Sequence, residues 1–446
     1  MTDQRLTMGQ SAGIETSASR KQDLAGLILS WLPTLMFGYA ILIAPMMMRT
    51  SGGPEDGDIN IAASKSNVLN QLFWLALFGL AFLASLKRLN RLPAVLLHPV
   101  VLAIFAYLAF SGLTVFWSPV PGIAFRRLIL QLILLLCFIL SIGLGDSREA
   151  TLNRMLALVV LTVAINSLAV VLIPPTPIGY AGIYPQKNGL GAVMAFAILV
   201  TIYGMSVKTG MTRFILLGTT VVAFGLLVIS QSKTSLGLAV LIPIMVYVFV
   251  GLAYHLRINA FVLFLLLAST GIVSAAFLSA LTGFGLDDLS MILFHDTTFT
   301  GRTVIWNFVL DVISRSWLGG QGYSSFWGAG VDSIVFREAP SFVSLLLQAH
   351  NGYLDVLVET GVIGFTILIC LILFAFRSAT QLVQTDRQTT RFCLMLILFV
   401  VCHNLLESSW FRSFSQIWML FIFAALLPLL PSEKEAQGRN AKSDRF

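Results

Sequence analysis

Charge is what this sequence has least of. Only 11% of its 446 residues are Asp, Glu, Lys or Arg, whereas 57% are hydrophobic. Soluble domains carry roughly 25% charged residues. A soluble chain this apolar could not cover its own surface, so the soluble classes are excluded. The sequence also lacks the alternating segments of about ten residues that mark outer-membrane barrels. Cysteine is scarce as well. Cys137, Cys370, Cys393 and Cys402 all fall inside apolar runs, without metal-ligand spacing and outside the outer loops where disulfides form. They read as small packing residues. No internal repeat is visible, which counts against a transporter built from two related halves.

What the chain has is long apolar runs. About 20 apolar residues cross the hydrocarbon core as one helix. Twelve such runs are expected, at 24–48, 67–86, 97–117, 128–145, 155–173, 189–206, 213–230, 234–254, 258–281, 350–376, 392–409 and 414–430. The expected class is therefore an all-α polytopic membrane protein. Its divisions are a tail over 1–23, a bundle over 24–281, a large outer loop over 282–349, a second bundle over 350–430 and a tail over 431–446. The first run is too long for a signal peptide and reads as a retained anchor. Only Gln231-Ser232-Lys233 joins the seventh and eighth runs, so that turn is tight.

Lys and Arg set the expected orientation. With the N-terminus in the cytoplasm, the inner side takes 18 of the 28 basic residues and nine acids, the outer side ten and twelve. The net +7 is then a topology signal and does not point to nucleic acid.

Polar residues at the outer mouths carry the chemistry. Arg126 and Arg127 follow the turn Trp117-Ser118-Pro119-Val120-Pro121-Gly122, on the side where cations are disfavoured. They either snorkel to lipid headgroups or grip an anion such as pyrophosphate in a bidentate way. The loop Pro174 to Gly189 mixes prolines, glycines and two tyrosines with Lys187 and Asn188, a composition that suits a sugar or an aromatic belt equally. Lys233 is a similar case. In the large loop, Thr303, Asn307, Asp311 and Arg315 recur every four residues among apolar neighbours. That spacing predicts an amphipathic helix. Arg302 stands at its start, where free backbone N–H groups also favour an anion.

The central stretch is Gln348-Ala349-His350-Asn351-Gly352-Tyr353, which opens the apolar run to Phe376. Taking 100° per residue, His350, Leu354, Leu357, Gly361 and Gly364 share one stripe, with Asp355 and Glu359 on the other side. Ionisable groups at membrane depth are functional candidates, and histidine suits proton transfer.

His350-Asn351, nine residues, then Gly361-Val362-Ile363-Gly364 resembles the signature of the O-antigen ligase and polymerase superfamily, the Wzy- and WaaL-like proteins. Five further stretches are similar to its ExoQ-type exopolysaccharide polymerase branch. They are Trp117-Ser118-Pro119 with Arg126-Arg127; Gln186-Lys187-Asn188-Gly189; Gly301-Arg302-Thr303 with Trp306; Gly320-Gln321-Gly322-Tyr323 with Phe326-Trp327; and His403-Asn404-Leu405-Leu406-Glu407-Ser408. The matches run from about 110 to 410, in family order.

The resemblance implies a GT-C-like membrane glycosyltransferase without metal or cofactor, in the bacterial inner membrane with both termini cytoplasmic. Its donor would be a glycan on undecaprenyl pyrophosphate. Membrane lipid would be a further partner, with chain-length and export proteins as candidates. On that reading His350, Arg302, Arg126 and Arg127 are the catalytic candidates, the arginines for the pyrophosphate and His350 for the acceptor hydroxyl. Lys187, Asn188, Lys233, Asn351, Tyr323, Trp327, Glu359 and Glu407 are the substrate-site candidates, with Asp355, Glu359 and Glu407 as acids that steady the cations. A polymerase, a ligase onto lipid A core or protein, and a twelve-span transporter are the three activities weighed.

Overall fold

The computed structural model describes residues 24–50, 68–283, 288, 291, 301–413 and 415–432. The expected N-terminal tail, the C-terminal tail beyond 432, most of the 49–66 loop and residues 298–300 lie outside them.

Among the described residues, ten helices are long and apolar enough to cross a membrane: α1 (Leu24–Met48), α2 (Val68–Leu96), α3 (Pro99–Trp117), α4 (Pro121–Gly143), α5 (Arg148–Leu172), α6 (Lys187–Val207), α7 (Gly210–Ile229), α8 (Lys233–Leu256), α9 (Ala260–Thr282) and, after loop helices, α12 (Gly352–Thr380). Backbone groups in lipid must bond within their own segment, which is why these apolar runs are helical. The loop helices are α10 (Arg302–Arg315) and α11 (Ile334–Glu338). The last two apolar runs form shorter helices, α13 (Arg387–His403) and α14 (Gln416–Leu429). The twelve expected runs thus become ten of spanning length and two short ones. Both short helices are buried. Ile417 to Leu426 of α14 are all in the core.

Helix direction alternates, so loops gather at two ends. One end carries Trp117, Pro121, Lys187, Lys233 and Gly352. The opposite end carries Arg88, Arg148, Lys208, Arg257, Arg377 and Arg387. Ion pairs staple that opposite end. Arg88 donates to Asp146 (2.5 Å), and Arg148 reaches Asp386 (3.0 Å) and the Leu430 carbonyl (2.7 Å). The expected tight turn between α7 and α8 is present, with Ser230 and Ser232 buried and Gln231 at φ +55°.

α10 forms as the spacing predicts. Ile305, Val309 and Val312 face inward, and Asp311 and Arg315 pair on the exposed side at 2.6 Å. The single stripe expected along α12 does not exist, for two reasons. The helix begins only at Gly352, leaving His350 before it, and it breaks at Gly361 (φ +63°, ψ −166°). The break frees the carbonyls of Val358 and Glu359 and the amides of Val362 and Ile363. The segment 317–322 takes up all four. Gln321 N donates to Val358 O (2.8 Å) and Gly322 N to Glu359 O (2.9 Å). Val362 N donates to Trp317 O (2.9 Å) and Ile363 N to Leu318 O (3.4 Å). Two glycines make the approach close enough. A Cβ on Gly361 would strike the Leu318 carbonyl, and one on Gly320 the Glu359 backbone.

Gly361→Ala is expected to destabilise the fold by about 1–3 kcal/mol through left-handed backbone strain alone, more once the clash is included. Gly218→Ala, in open space on α7, is expected to leave stability unchanged or raised. Thermal unfolding of the two variants in detergent checks the contrast.

Candidate active site

His350 is held on both sides before its side chain is considered. Ala349 N donates to Asp355 Oδ1 (3.0 Å), and Ala349 O accepts from the Trp306 indole (3.0 Å). Asn351 caps α12, its side chain accepting from Tyr353 N and Leu354 N. Gly352 N donates to the Asn404 and Glu407 carbonyls (2.8 and 3.0 Å). Between these anchors His350 adopts φ +51°, the left-handed region that few non-glycine residues occupy. Such conformations persist only where the surroundings impose them.

The side chain meets Glu407. His350 Nδ1 lies 3.2 Å from Glu407 Oε2. A carboxylate only accepts, so Nδ1 carries the proton and donates. Gln348 Nε2 then serves the same oxygen at 3.3 Å. The other oxygen, Oε1, accepts from Asn188 Nδ2 (2.9 Å) and lies 3.6 Å from Arg302 Nη2. One carboxylate therefore gathers residues from α6, the start of α10 and the approach to α12. Burial pushes the Glu407 carboxyl up, but the hydrogen bond from His350 and the charges of His350, His403 and Arg302 together outweigh it and hold it below the usual carboxylate range. Burial lowers the Arg302 guanidinium, with Glu407 opposing. Arginine stays charged regardless. Exposure separates the roles. The His350 side chain is 26% exposed and Glu407 12%. Among the described residues Nε2 of His350 has no hydrogen-bond partner, so it is the atom free to meet a substrate.

The other expected residues divide into rim and support. Lys187 Nζ sits 3.5 Å from the Gln231 carbonyl, at the turn that leads to exposed Lys233. Lys187 directly precedes Asn188, a donor to Glu407, so this turn borders the cluster. Arg127 is spent on the backbone. It donates to the carbonyls of Ser324 (2.6 Å), Trp327 (3.2 Å) and Gly328 (2.5 Å). A guanidinium so occupied clamps a loop and is not presented to a pyrophosphate. Arg126, one position earlier on α4, is half-buried. Glu359 accepts from Ser324 N (3.0 Å) and so holds the same loop. Tyr323 and Trp327, expected at the substrate site, are core residues instead. They are 1% and 3% exposed, with the Tyr323 hydroxyl on Phe411 O and the Trp327 indole on Asp355. Asn351 is likewise committed to its cap.

The family model described as O-antigen ligase matches residues 218–369. The exopolysaccharide production protein ExoQ of Rhizobium meliloti is 26% identical over 300 residues, 64% of this chain and 66% of that protein. Two Rickettsia proteins named as candidate polysaccharide ligases, from R. conorii and R. prowazekii, are 24% and 25% identical over 131 residues, 28% of this chain. The match spans just under two thirds of ExoQ and about a third of the other two. Both comparisons bear out the superfamily resemblance. The O-antigen ligase match takes in Arg302, Gln348, His350 and Gly361, and leaves Arg126, Arg127, Asn188 and Glu407 outside it.

Three supporting residues were given no role by the sequence reading. Arg412 pairs with Asp355 (2.7 Å) and donates to Leu347 O (2.8 Å). Asn404 ties Ser409 and Trp410 into the turn that carries Glu407. Gln348 completes the Glu407 shell. Arg412 had one signal, an outer-side cation five residues after Glu407. An Asp-x-Asp triplet also occurs, Asp56-Gly57-Asp58, outside the described residues. Metal-free chemistry therefore rests on the resemblance and not on the lack of that pattern.

Because the Glu407 carboxyl is depressed in the fold, its stabilisation is fully present above the unfolded value of about 4.3. It is lost as pH falls through the lower folded value. Wild-type thermal stability is expected to drop in that acid window, and Glu407→Gln to drop less steeply there. Melting curves of both across the window check the sign.

Proposed function

We propose that this protein is a membrane glycosyltransferase that joins lipid-linked repeat units into an exopolysaccharide. The donor is a glycan on undecaprenyl pyrophosphate, taken at the outer face of the inner membrane, with both termini cytoplasmic. One observation carries the reading: Glu407 binds Nδ1 of a partly exposed His350 and lies beside Arg302, at the end of the bundle poorer in basic residues.

The chemistry follows from that arrangement. Glu407 fixes the imidazole with Nε2 deprotonated and facing the opening. Nε2 takes the proton of the acceptor hydroxyl, and that oxygen attacks the anomeric carbon of the donor glycan. The bond from that carbon to the pyrophosphate oxygen breaks, and undecaprenyl pyrophosphate leaves with the electron pair. Arg302, with Arg126 as second candidate, balances the charge that develops on the leaving group. No metal is needed where fixed guanidinium does this. Lys187 and Lys233 at the rim suit contacts to the glycan or its phosphates. In a polymerase the acceptor is a second lipid-linked unit, and the similarity to ExoQ supports that choice. The two Rickettsia relatives named as ligases support the second reading, transfer of a finished glycan to lipid A core or protein. A transporter fits less well, because the polar cluster sits at a mouth and not at midplane. Chain-length and export proteins remain candidate partners.

His350→Ala is expected to lower transfer by roughly 10²–10⁴-fold, the range for one general base. Arg302→Ala is expected to cost roughly 10²–10³-fold, as for one charge-stabilising donor. Purified protein with a lipid-linked repeat unit, with and without a lipid A core acceptor, measures both and separates the two acceptors. Long-chain product from both variants at the wild-type rate would overturn the assignment.

A further inference from the structure

The opposite end of the bundle holds a cavity of about 670 Å³ between the α8–α9 turn and the α12–α13 turn. Arg257, Arg377, Asn259 and Gln381 line it, with Ile258 and Val262 on its apolar side. We propose that it binds the phosphate of an anionic phospholipid headgroup. This reading is independent of the glycosyl-transfer site.

The argument rests on which arginines are already engaged. Four approach this edge. Arg387 lies over the Tyr254 ring at 3.8 Å and Arg391 over the Tyr247 ring at 4.4 Å. The nearby acid, Asp386, is taken by Arg148 and by the Thr389 amide. Arg257 and Arg377 are exposed and, among the described residues, have no carboxylate partner. Two unpaired guanidinium groups on one cavity favour a phosphate, which each can bind in a bidentate way. The helix start beside them does not supply the site, because Asn259 Oδ1 already accepts from Phe261 N and Val262 N.

Position selects the source of the phosphate. α8, α9 and α12 all end at this level, so the cavity opens where hydrocarbon gives way to headgroups. Ile258 and Val262 are 38% and 47% exposed beside it and match acyl chains better than water. Basic pockets between helices on the side rich in Lys and Arg are suited to anionic headgroups. Arg257 closes α8 at φ +54°, a position that ordinarily goes to glycine. An arginine there keeps a long cation at the cavity edge despite the backbone cost.

Native mass spectrometry of the full chain tests the proposal. Micelles are doped with phosphatidylglycerol, with phosphatidylcholine, or supplied with inorganic phosphate alone. Wild type is expected to retain phosphatidylglycerol over phosphatidylcholine. Arg257→Gln with Arg377→Gln is expected to cut that retention roughly 30-fold, the scale that two basic side chains supply at a membrane surface. The matching Lys pair keeps most of it. Arg213→Gln, at the same end on α7 but outside the cavity, leaves it unchanged. Equal retention in the Gln pair, or an equal loss from Arg213→Gln, overturns the site. Arginine-dependent retention of inorganic phosphate without any lipid preference overturns the headgroup assignment. Should the Gln pair fail to fold, the single variants carry the same comparison.

Discussion

Much of this molecule depends on four backbone hydrogen bonds. A helix that breaks inside a membrane protein exposes groups that lipid cannot satisfy. Here Gly361 breaks α12, and the segment 317–322 supplies the missing partners. The exchange does more than repair the helix. It draws a loop from the large connecting region down against α12, and that loop leads to Ser324, Trp327 and Gly328. Arg127 and Glu359 then hold Ser324 from two sides. Trp327 in turn donates to Asp355, which holds Ala349. A chain of buried contacts thus connects the break to the residue before His350.

Glu407 is the second fixed point. A carboxylate this enclosed is costly unless its lone pairs are used. Asn188, Gln348 and His350 donate to it, and Arg302 adds charge. The donors come from segments far apart in sequence, so the carboxylate also specifies how α6, α10 and α12 meet. Removing its charge would leave Arg302 and His350 without their common partner, which makes Glu407 a positioning residue for both.

The fold class and the site were legible to different degrees. Apolar run length depends only on local composition, so the helices appeared where expected. The polar stripe of α10 was equally local. His350, Arg302, Asn188 and Glu407 stood out because polar groups are rare in such a chain, and the structure brings these four together. Burial was not legible. Tyr323 and Trp327 look like ligand contacts in a motif, yet the loop that carries them is turned inward by the Gly361 break, and Arg127 on α4 is spent on that loop's carbonyls. Gly361 and Gly364 were expected on one continuous helical stripe with His350. One φ angle made the first of them the seat of a loop instead, and no spacing rule reports φ. Arg412 was missed because its partner, Asp355, lies 57 residues earlier.

The two arginines kept distinct in this way clarify how charge is used. Arg127 has three carbonyl partners and behaves as a structural cross-link. Among the described residues Arg302 has one acid, Glu407, at 3.6 Å, beyond a good hydrogen bond. A site that stabilises developing negative charge needs donors that are fixed but not saturated. Glu407 meets both conditions for Arg302, since it holds the guanidinium without engaging its full fork. The same carboxylate directs the Nδ1 proton of His350 inward and leaves Nε2 open. On the proposed mechanism the cation and the base thus share one buried anchor, and the strained backbone of His350 is tolerated because that anchor and the start of α12 are themselves locked.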